Sequence, residues 1–240
     1  MRNGLLAPAL SACFMFTACG GGGGDSAPAT TPTSPTPLST TNVAAAVKAL
    51  MRTPHSYSLS GSTSTGVNLT ATLGIAQGGT LTHQGLSFDS SVLTITLFRG
   101  GTLLSASVST LWYYPGTVNL RFSTNSGDST CNNYTAISNL PVAANLGQSG
   151  SYFVATQYPG CTSPNNAGPM SSGTVTGTWS YSDIGGIAFV CLNSSNKTNG
   201  LVSTSTESDC VEVVDTNGTL GTRARIALKD PNGVTTVLSN

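Results

Sequence analysis

Charged residues are scarce in this sequence of 240 residues. Nine basic and nine acidic side chains make up 8% of the chain, whereas about a quarter is typical of globular domains. The formal net charge is zero, and no basic stripe could neutralise the phosphates of a nucleic acid or of anionic lipids. Nucleic-acid binding is therefore not expected.

Strong helix formers are rare as well, since Lys and Glu together number five in the whole chain. The chain is nevertheless 38% hydrophobic, which excludes a disordered, solvating polypeptide. Many β-branched residues and 28 glycines favour an all-β fold. The predicted class is an antiparallel meander that forms a sandwich or an open, barrel-like sheet, with one short N-terminal helix.

The first residues have the form of an export signal. Met1-Arg2-Asn3 carries one positive charge, and the apolar run from Leu5 to Phe16 that follows is shorter than the ~20 residues of a membrane-spanning helix. A basic start, a short apolar middle and a small residue before the cleavage point are the parts of a secretory signal.

The end of this signal contains a cysteine in a specific context. Phe16-Thr17-Ala18-Cys19 resembles the lipobox of bacterial lipoproteins, in which the cysteine thiol receives a diacylglyceryl group before cleavage. Leu10-Ser11-Ala12-Cys13 is similar, but cleavage there would leave an apolar segment of about five residues, below the ~7–15 that a signal needs. The resemblance therefore implies lipid attachment at Cys19. Because Gly20 rather than Asp follows it, the resemblance implies an anchor in the outer membrane of a Gram-negative cell, facing the periplasm or the cell surface.

Three parts of the chain follow from these patterns. Residues 1–18 are the lipoprotein signal peptide, and residues 19–41 form a flexible tether rich in Gly, Pro and Thr. Residues 42–240 form one β-rich exported domain, with two sub-sheets at about 42–140 and 141–240 as the alternative. The domain begins with a predicted helix over residues 43–52, which has capping candidates at Thr41-Asn42 and Pro54 beyond its end.

The clearest hairpin in the domain surrounds Gly100-Gly101, a dipeptide that suits a two-residue turn. The strand over residues 93–99 precedes the turn, and the strand over residues 102–112 follows it. The hydrophobic pattern predicts three apolar pairs on one face: Leu97 with Leu104, Ile95 with Ala106, and Leu93 with Val108. It places Thr94, Thr96, Ser105, Ser107 and Ser109 on the opposite, wet face.

Four cysteines follow Cys19, an even number that fits two disulfides in an oxidising compartment. Three pairings are open, and we favour Cys131–Cys161 and Cys191–Cys210 because each pair lies within one local stretch. No Cys-x-x-Cys or Cys–His spacing indicates a zinc site or a redox pair. A calcium loop starting at Asp215 would need an acid at its twelfth position, which is Ile226. No metal and no other cofactor is expected.

Catalytic groups are few. The chain has two histidines and no Gly-x-Ser-x-Gly elbow, so no catalytic residue is assigned. A tethered hydrolase that uses a serine with His83 and Asp89 is the alternative. The acids Glu207, Asp209 and Glu212 cluster around Cys210, where they are predicted to flank a disulfide on a solvated edge.

The run Trp112-Tyr113-Tyr114 offers a candidate stacking surface for a sugar or a peptide, with core packing as the competing interpretation. The predicted function is a lipid-anchored, non-enzymatic binding or structural module, with protein or glycan partners in the envelope. A carrier of an apolar ligand in a barrel-like cavity is the further alternative.

Overall fold

The computed structural model of the protein describes residues 38–161, 170–200 and 203–240. This part is almost entirely antiparallel β-sheet around one short helix, α1 (Val43–Arg52). Twelve of its strands are hydrogen-bonded in a ring and form a closed barrel. The predicted all-β class with one N-terminal helix is therefore confirmed, and the sheet closes on itself. The signal peptide and Cys19 lie outside the described residues.

Neighbouring barrel strands are nearly always consecutive in the chain. The barrel strands are β2 (His55–Thr63), β3 (Asn68–His83), β4 (Leu86–Arg99), β5 (Thr102–Tyr113), β6 (Leu120–Asn125), β7 (Thr130–Ile137), β9 (Ser149–Pro159), β10 (Gly173–Ile184), β11 (Ile187–Thr198), β12 (Ser205–Val213), β13 (Leu220–Lys229) and β14 (Thr235–Ser239). The short strands β1 (Thr40–Thr41) and β8 (Ala144–Asn145) pair with each other outside this ring. β7 pairs directly with β9 and β14 pairs with β2, so the barrel strands on both sides of residue 140 form one sheet.

Helix α1 lies inside one end of the barrel. The predicted cap is present, because Asn42 Oδ1 accepts a hydrogen bond from the backbone N–H of Ala45 at 2.9 Å. One face of the helix is buried in the barrel core and comprises Val43, Ala46, Val47, Leu50 and Met51. Burial of this apolar face against the inward side chains of the strands is the main force that holds the helix.

Polar contacts attach the same helix to the turns at this end of the barrel. The backbone N–H of Asn42 donates to the carbonyl of Thr216, and the N–H of Ala44 donates to that of Pro141. At the other end of the helix, the Arg52 guanidinium forms an ion pair with Asp89 at 3.0 Å. These contacts reach three different connections or strands, so α1 closes this end of the barrel.

The hairpin of β4 and β5 has the predicted turn but a different register. Gly100 and Gly101 both have positive φ, 55° and 80°, as the predicted two-residue turn requires. A β-bulge beside the turn pairs Phe98 with Leu103 and Leu97 with Ser105, which leaves Leu104 as the inserted residue. Because side chains alternate along a strand, this insertion reverses the face of every later residue of β5.

The predicted apolar pairs of this hairpin are therefore wrong. Ile95 lies opposite Ser107 and Leu93 lies opposite Ser109, and all four side chains line the barrel interior. Leu104 and Val108 are instead on the outer face, where they are 41% and 37% exposed. Ser107 and Ser109, which were predicted on the opposite, wet face, thus face the lumen.

Both local disulfides are present. Cys131 is joined to Cys161, with 5.8 Å between the Cα atoms, and Cys191 is joined to Cys210, with 4.0 Å between the Cα atoms. Cys191 and Cys210 are directly opposite each other on β11 and β12. The predicted pairing is confirmed.

Candidate binding site in the barrel lumen

A cavity of about 450 Å³ occupies the barrel interior beyond α1. Its lining comes from strands β4 to β7 and β9 to β13, and Met51 of the helix contributes to it as well. Cavities of this size are typical of sites for small molecules. A twelve-stranded barrel is wider than the eight-stranded barrels whose interiors side chains just fill, and the inward residues Ser107 and Ser109 are too small to fill it.

The lining combines an apolar part with a polar part. Apolar side chains include Leu93, Ile95, Leu111, Leu120, Phe153 and Leu192. The Phe153 ring lies over Gly177, where a Cβ atom would be 2.2 Å from the ring carbon Cε1. A larger residue at position 177 would therefore displace this ring.

Hydrogen bonds orient the polar side chains of the wall. Asn132 Nδ2 donates to Ser123 Oγ at 3.0 Å, and the Tyr134 hydroxyl donates to the same oxygen at 3.1 Å. Asn196 Nδ2 donates to Gln157 Oε1 at 3.4 Å. With their amide nitrogens engaged in this way, Asn132 and Asn196 each keep a buried Oδ1 that has no hydrogen-bond partner among the described residues. At these two amides the wall therefore offers buried acceptor oxygens that the described residues leave without a donor.

Two acidic side chains also line this cavity, Glu207 and Asp209. They alternate on β12 with the disulfide residue Cys210 and share their face with the buried residues Val211 and Val213. The acids were predicted to flank the disulfide on a solvated edge. For Glu207 and Asp209 this is wrong, because the strand alternation turns both into the lumen; Glu212 alone has the opposite orientation.

The environment of this acid pair opposes ionisation. Burial raises the pKa of Asp209 well above its usual value, and the neighbouring Glu207 carboxylate raises it further. Burial also raises the pKa of Glu207. Asp209 Oδ1 is buried and has no hydrogen-bond partner within the described ranges, so no donor among those residues stabilises a negative charge on this oxygen.

The pair His83 and Asp89, considered for a hydrolase, is separated by the barrel wall. Asp89 is opposite Tyr113 on β5 and pairs with Arg52 of the internal helix. His83 contacts the edge of the Phe122 ring on the outer face, with 5.0 Å between ring centroids. The structure does not bring these two side chains together.

The candidate stacking residues divide between the two faces in the same way. Tyr113 is 1% exposed, its hydroxyl is 2.9 Å from Ser91 Oγ, and the Arg52 guanidinium lies 5.2 Å from its ring centroid. Tyr113 is therefore a core residue beneath α1. Trp112 and Tyr114 lie on the outer side, where the Tyr114 ring contacts Phe88.

Within residues 38–161, 170–200 and 203–240, no group of three or more His, Cys, Asp or Glu side chains is arranged to hold a metal ion. The same ranges contain no helix with the length and hydrophobicity needed to span a bilayer. No protein-family model matches the chain, and no curated protein or solved structure is significantly similar to it.

Proposed function

We propose that the protein is a non-enzymatic carrier or binding module that holds a small molecule in the barrel lumen, and that the lipid on Cys19 anchors it to the outer membrane. The observation that carries this proposal is the cavity of about 450 Å³, which α1 bounds at one end. A barrel interior is a common place for such a ligand, because the surrounding sheet is rigid and excludes bulk water.

The chemistry of the lining favours binding over catalysis. Hydroxyl and amide groups form most of its polar surface, and these groups orient ligands better than they transfer protons. The two residues that could assist a nucleophilic serine, His83 and Asp89, lie on opposite faces of the wall. The apolar side chains of the same lining suit the hydrocarbon part of an amphiphilic ligand.

Filling the lumen tests this proposal. The double variant Ser107→Trp/Ser109→Trp places two indole rings in the cavity, because both serines line it. The matched control is Ala106→Trp/Val108→Trp, which places the same rings on the outer face of the same strand. Binding of the neutral dye N-phenyl-1-naphthylamine to the full-length protein in detergent is measured by fluorescence titration.

We expect the inward variant to weaken dye binding at least tenfold and the outward variant to change it less than twofold. Circular dichroism melts of both variants check that the barrel is intact. Equal loss in both variants, or dye binding that the inward rings leave unchanged, would show that the lumen is not the binding site.

A further inference from the structure

We propose that the lumen is specific for a small organic cation, an amine with further N–H or O–H donors, whose ammonium group binds between Glu207 and Asp209. This inference rests on the proposed binding function and adds the chemical class of the ligand. It is carried by the position of the two acids in the cavity wall and by buried acceptor oxygens of the same wall that have no hydrogen-bond partner among the described residues.

Charge is the first argument for a cation. The titratable groups that line the cavity are the carboxyl groups of Asp128, Glu207, Asp209 and Asp230, the Lys229 ammonium, and the hydroxyls of Tyr134 and Tyr152. Carboxyl groups therefore outnumber ammonium groups four to one, and Asp128 and Asp230 still outnumber Lys229 while Glu207 and Asp209 hold their protons. Burial raises the pKa of Tyr134 to about 12 and also raises that of Tyr152, so both hydroxyls stay neutral. A cation that enters this lumen is attracted on balance.

The second argument is independent of charge and concerns hydrogen-bond partners. Three buried oxygens in the wall lack a donor among the described residues: Oδ1 of Asn132, Oδ1 of Asn196 and Oδ1 of Asp209. A buried acceptor without a donor costs roughly 1–3 kcal/mol. All three deficits are of donors, and amines and hydroxyl-bearing amines are ligands that supply several donors at once.

The neighbours of the acids favour an organic cation over a metal ion. Asp209 lies between Leu192 and Ile226 on the adjacent strands, and Glu207 lies next to Leu228. A divalent metal ion would require more oxygen ligands than this pair supplies and would gain nothing from leucine and isoleucine. Methylene groups beside an ammonium pack favourably against such side chains.

Binding of the cation is coupled to protons. Burial and mutual repulsion make Glu207 and Asp209 hold protons that free carboxyl groups would release. These protons must leave before an ammonium group can form an ion pair with a carboxylate. Affinity is therefore expected to increase from pH 6 to pH 8, with release of protons on binding.

The experiment compares amines with uncharged molecules of matched size. Isothermal titration calorimetry of the full-length protein in detergent uses spermidine against 1,8-octanediol and glucosamine against glucose, in phosphate and in Tris at the same pH. The variants are Glu207→Gln and Asp209→Asn, which keep the size of the side chains. The matched control is Glu212→Gln on the opposite face of the same strand.

We expect at least one of the two amines to bind at least tenfold more tightly than its uncharged counterpart, with heats that differ between the two buffers because protons are released. Glu207→Gln and Asp209→Asn should each weaken its binding at least tenfold, whereas Glu212→Gln should change it less than twofold. Melting curves confirm that each variant is folded.

The outcomes separate this inference from the proposed function. Three results would each overturn the cation specificity and leave a neutral carrier. The first is that octanediol or glucose binds as tightly as the amines, and the second is that neither lumen variant changes amine binding. The third is that no amine binds while N-phenyl-1-naphthylamine still enters the lumen. Failure of the dye and of both amines to bind would overturn the lumen site itself.

Discussion

A Cys19→Ala chain is expected to lack the diacylglyceryl group entirely and to be recovered as uncleaved precursor or as released protein. The thiol of Cys19 is the acceptor that the lipobox resemblance implies, and alanine provides no nucleophile for the lipid. In the proposed anchor, several acyl chains at this cysteine would hold the protein stably, because several chains bind a bilayer far more strongly than one. Mass spectrometry of protein extracted from membranes measures the adduct and the position of the mature N-terminus.

Cys13→Ala is the matched control, since it removes the other cysteine of the signal region and should leave lipidation intact. Lipidation that persists in Cys19→Ala and disappears in Cys13→Ala would move the acceptor to Cys13. Complete lipidation in both variants would show that neither signal-region cysteine is the attachment site.

The fold class could be predicted from the sequence because its causes are local. Alternation in β3 places Leu69, Ala71 and Leu73 on one face and threonines on the other, and a period of two is characteristic of a strand. The cap of α1 was equally local, since Asn42 needs only its own helix to accept the N–H of Ala45. The sequence gives no comparable indication of β7, because residues such as Asn132 and Asn133 show no apolar alternation.

Closure of the barrel and its lumen could not be predicted because they depend on contacts distant in sequence. β14 pairs with β2, and no local pattern encodes that contact. The β5 register failed for a related reason. Local reasoning favours pairing leucine with leucine. The bulge at Leu104 instead turns Ser107 and Ser109 inward, and small polar residues are acceptable there only because the barrel interior is a cavity and not a packed core.

The acid pair did have a sequence signal. Glu207, Asp209, Val211 and Val213 are spaced two apart, so two apolar residues share a strand face with two acids. Cys210, which lies between Asp209 and Glu212, instead favours the interpretation that these acids flank a disulfide on a solvated edge. Reading the strand by its period rather than by its cysteine would have placed Glu207 and Asp209 inside.

An Asp209→Asn variant is expected to be more stable than the unchanged protein at pH 8. Residues two apart on a strand are separated by about 7 Å, so once both acids have released their protons the two charges repel by about 2 kcal/mol at an effective dielectric constant of about 20. Asparagine removes this repulsion and one buried charge while keeping the side-chain volume. Thermal melts and urea titrations of the ligand-free protein measure the gain in the free energy of unfolding, which should approach about 2 kcal/mol. Asp183→Asn, the same substitution at an exposed residue near the end of β10, is the control and should have little effect, because the amide Oδ1 can still accept the N–H of Gly186.

The pH dependence follows from the raised pKa values of Glu207 and Asp209. Between the unfolded-state values, about 4, and the raised folded-state values, the folded protein binds more protons than the unfolded chain, so its stability falls as pH rises. The stabilising contribution of this protonation is fully present below the unfolded-state pKa and is lost as pH rises through the folded-state pKa. We therefore expect a higher melting temperature at pH 5 than at pH 8, and a smaller difference in Asp209→Asn. Two results would contradict an acid pair without a cationic partner: an Asp209→Asn variant that is less stable than the unchanged protein at pH 8, or an unchanged protein that is more stable at pH 8 than at pH 5. A cationic partner supplied by the protein itself would reverse the effect of the substitution and the effect of pH.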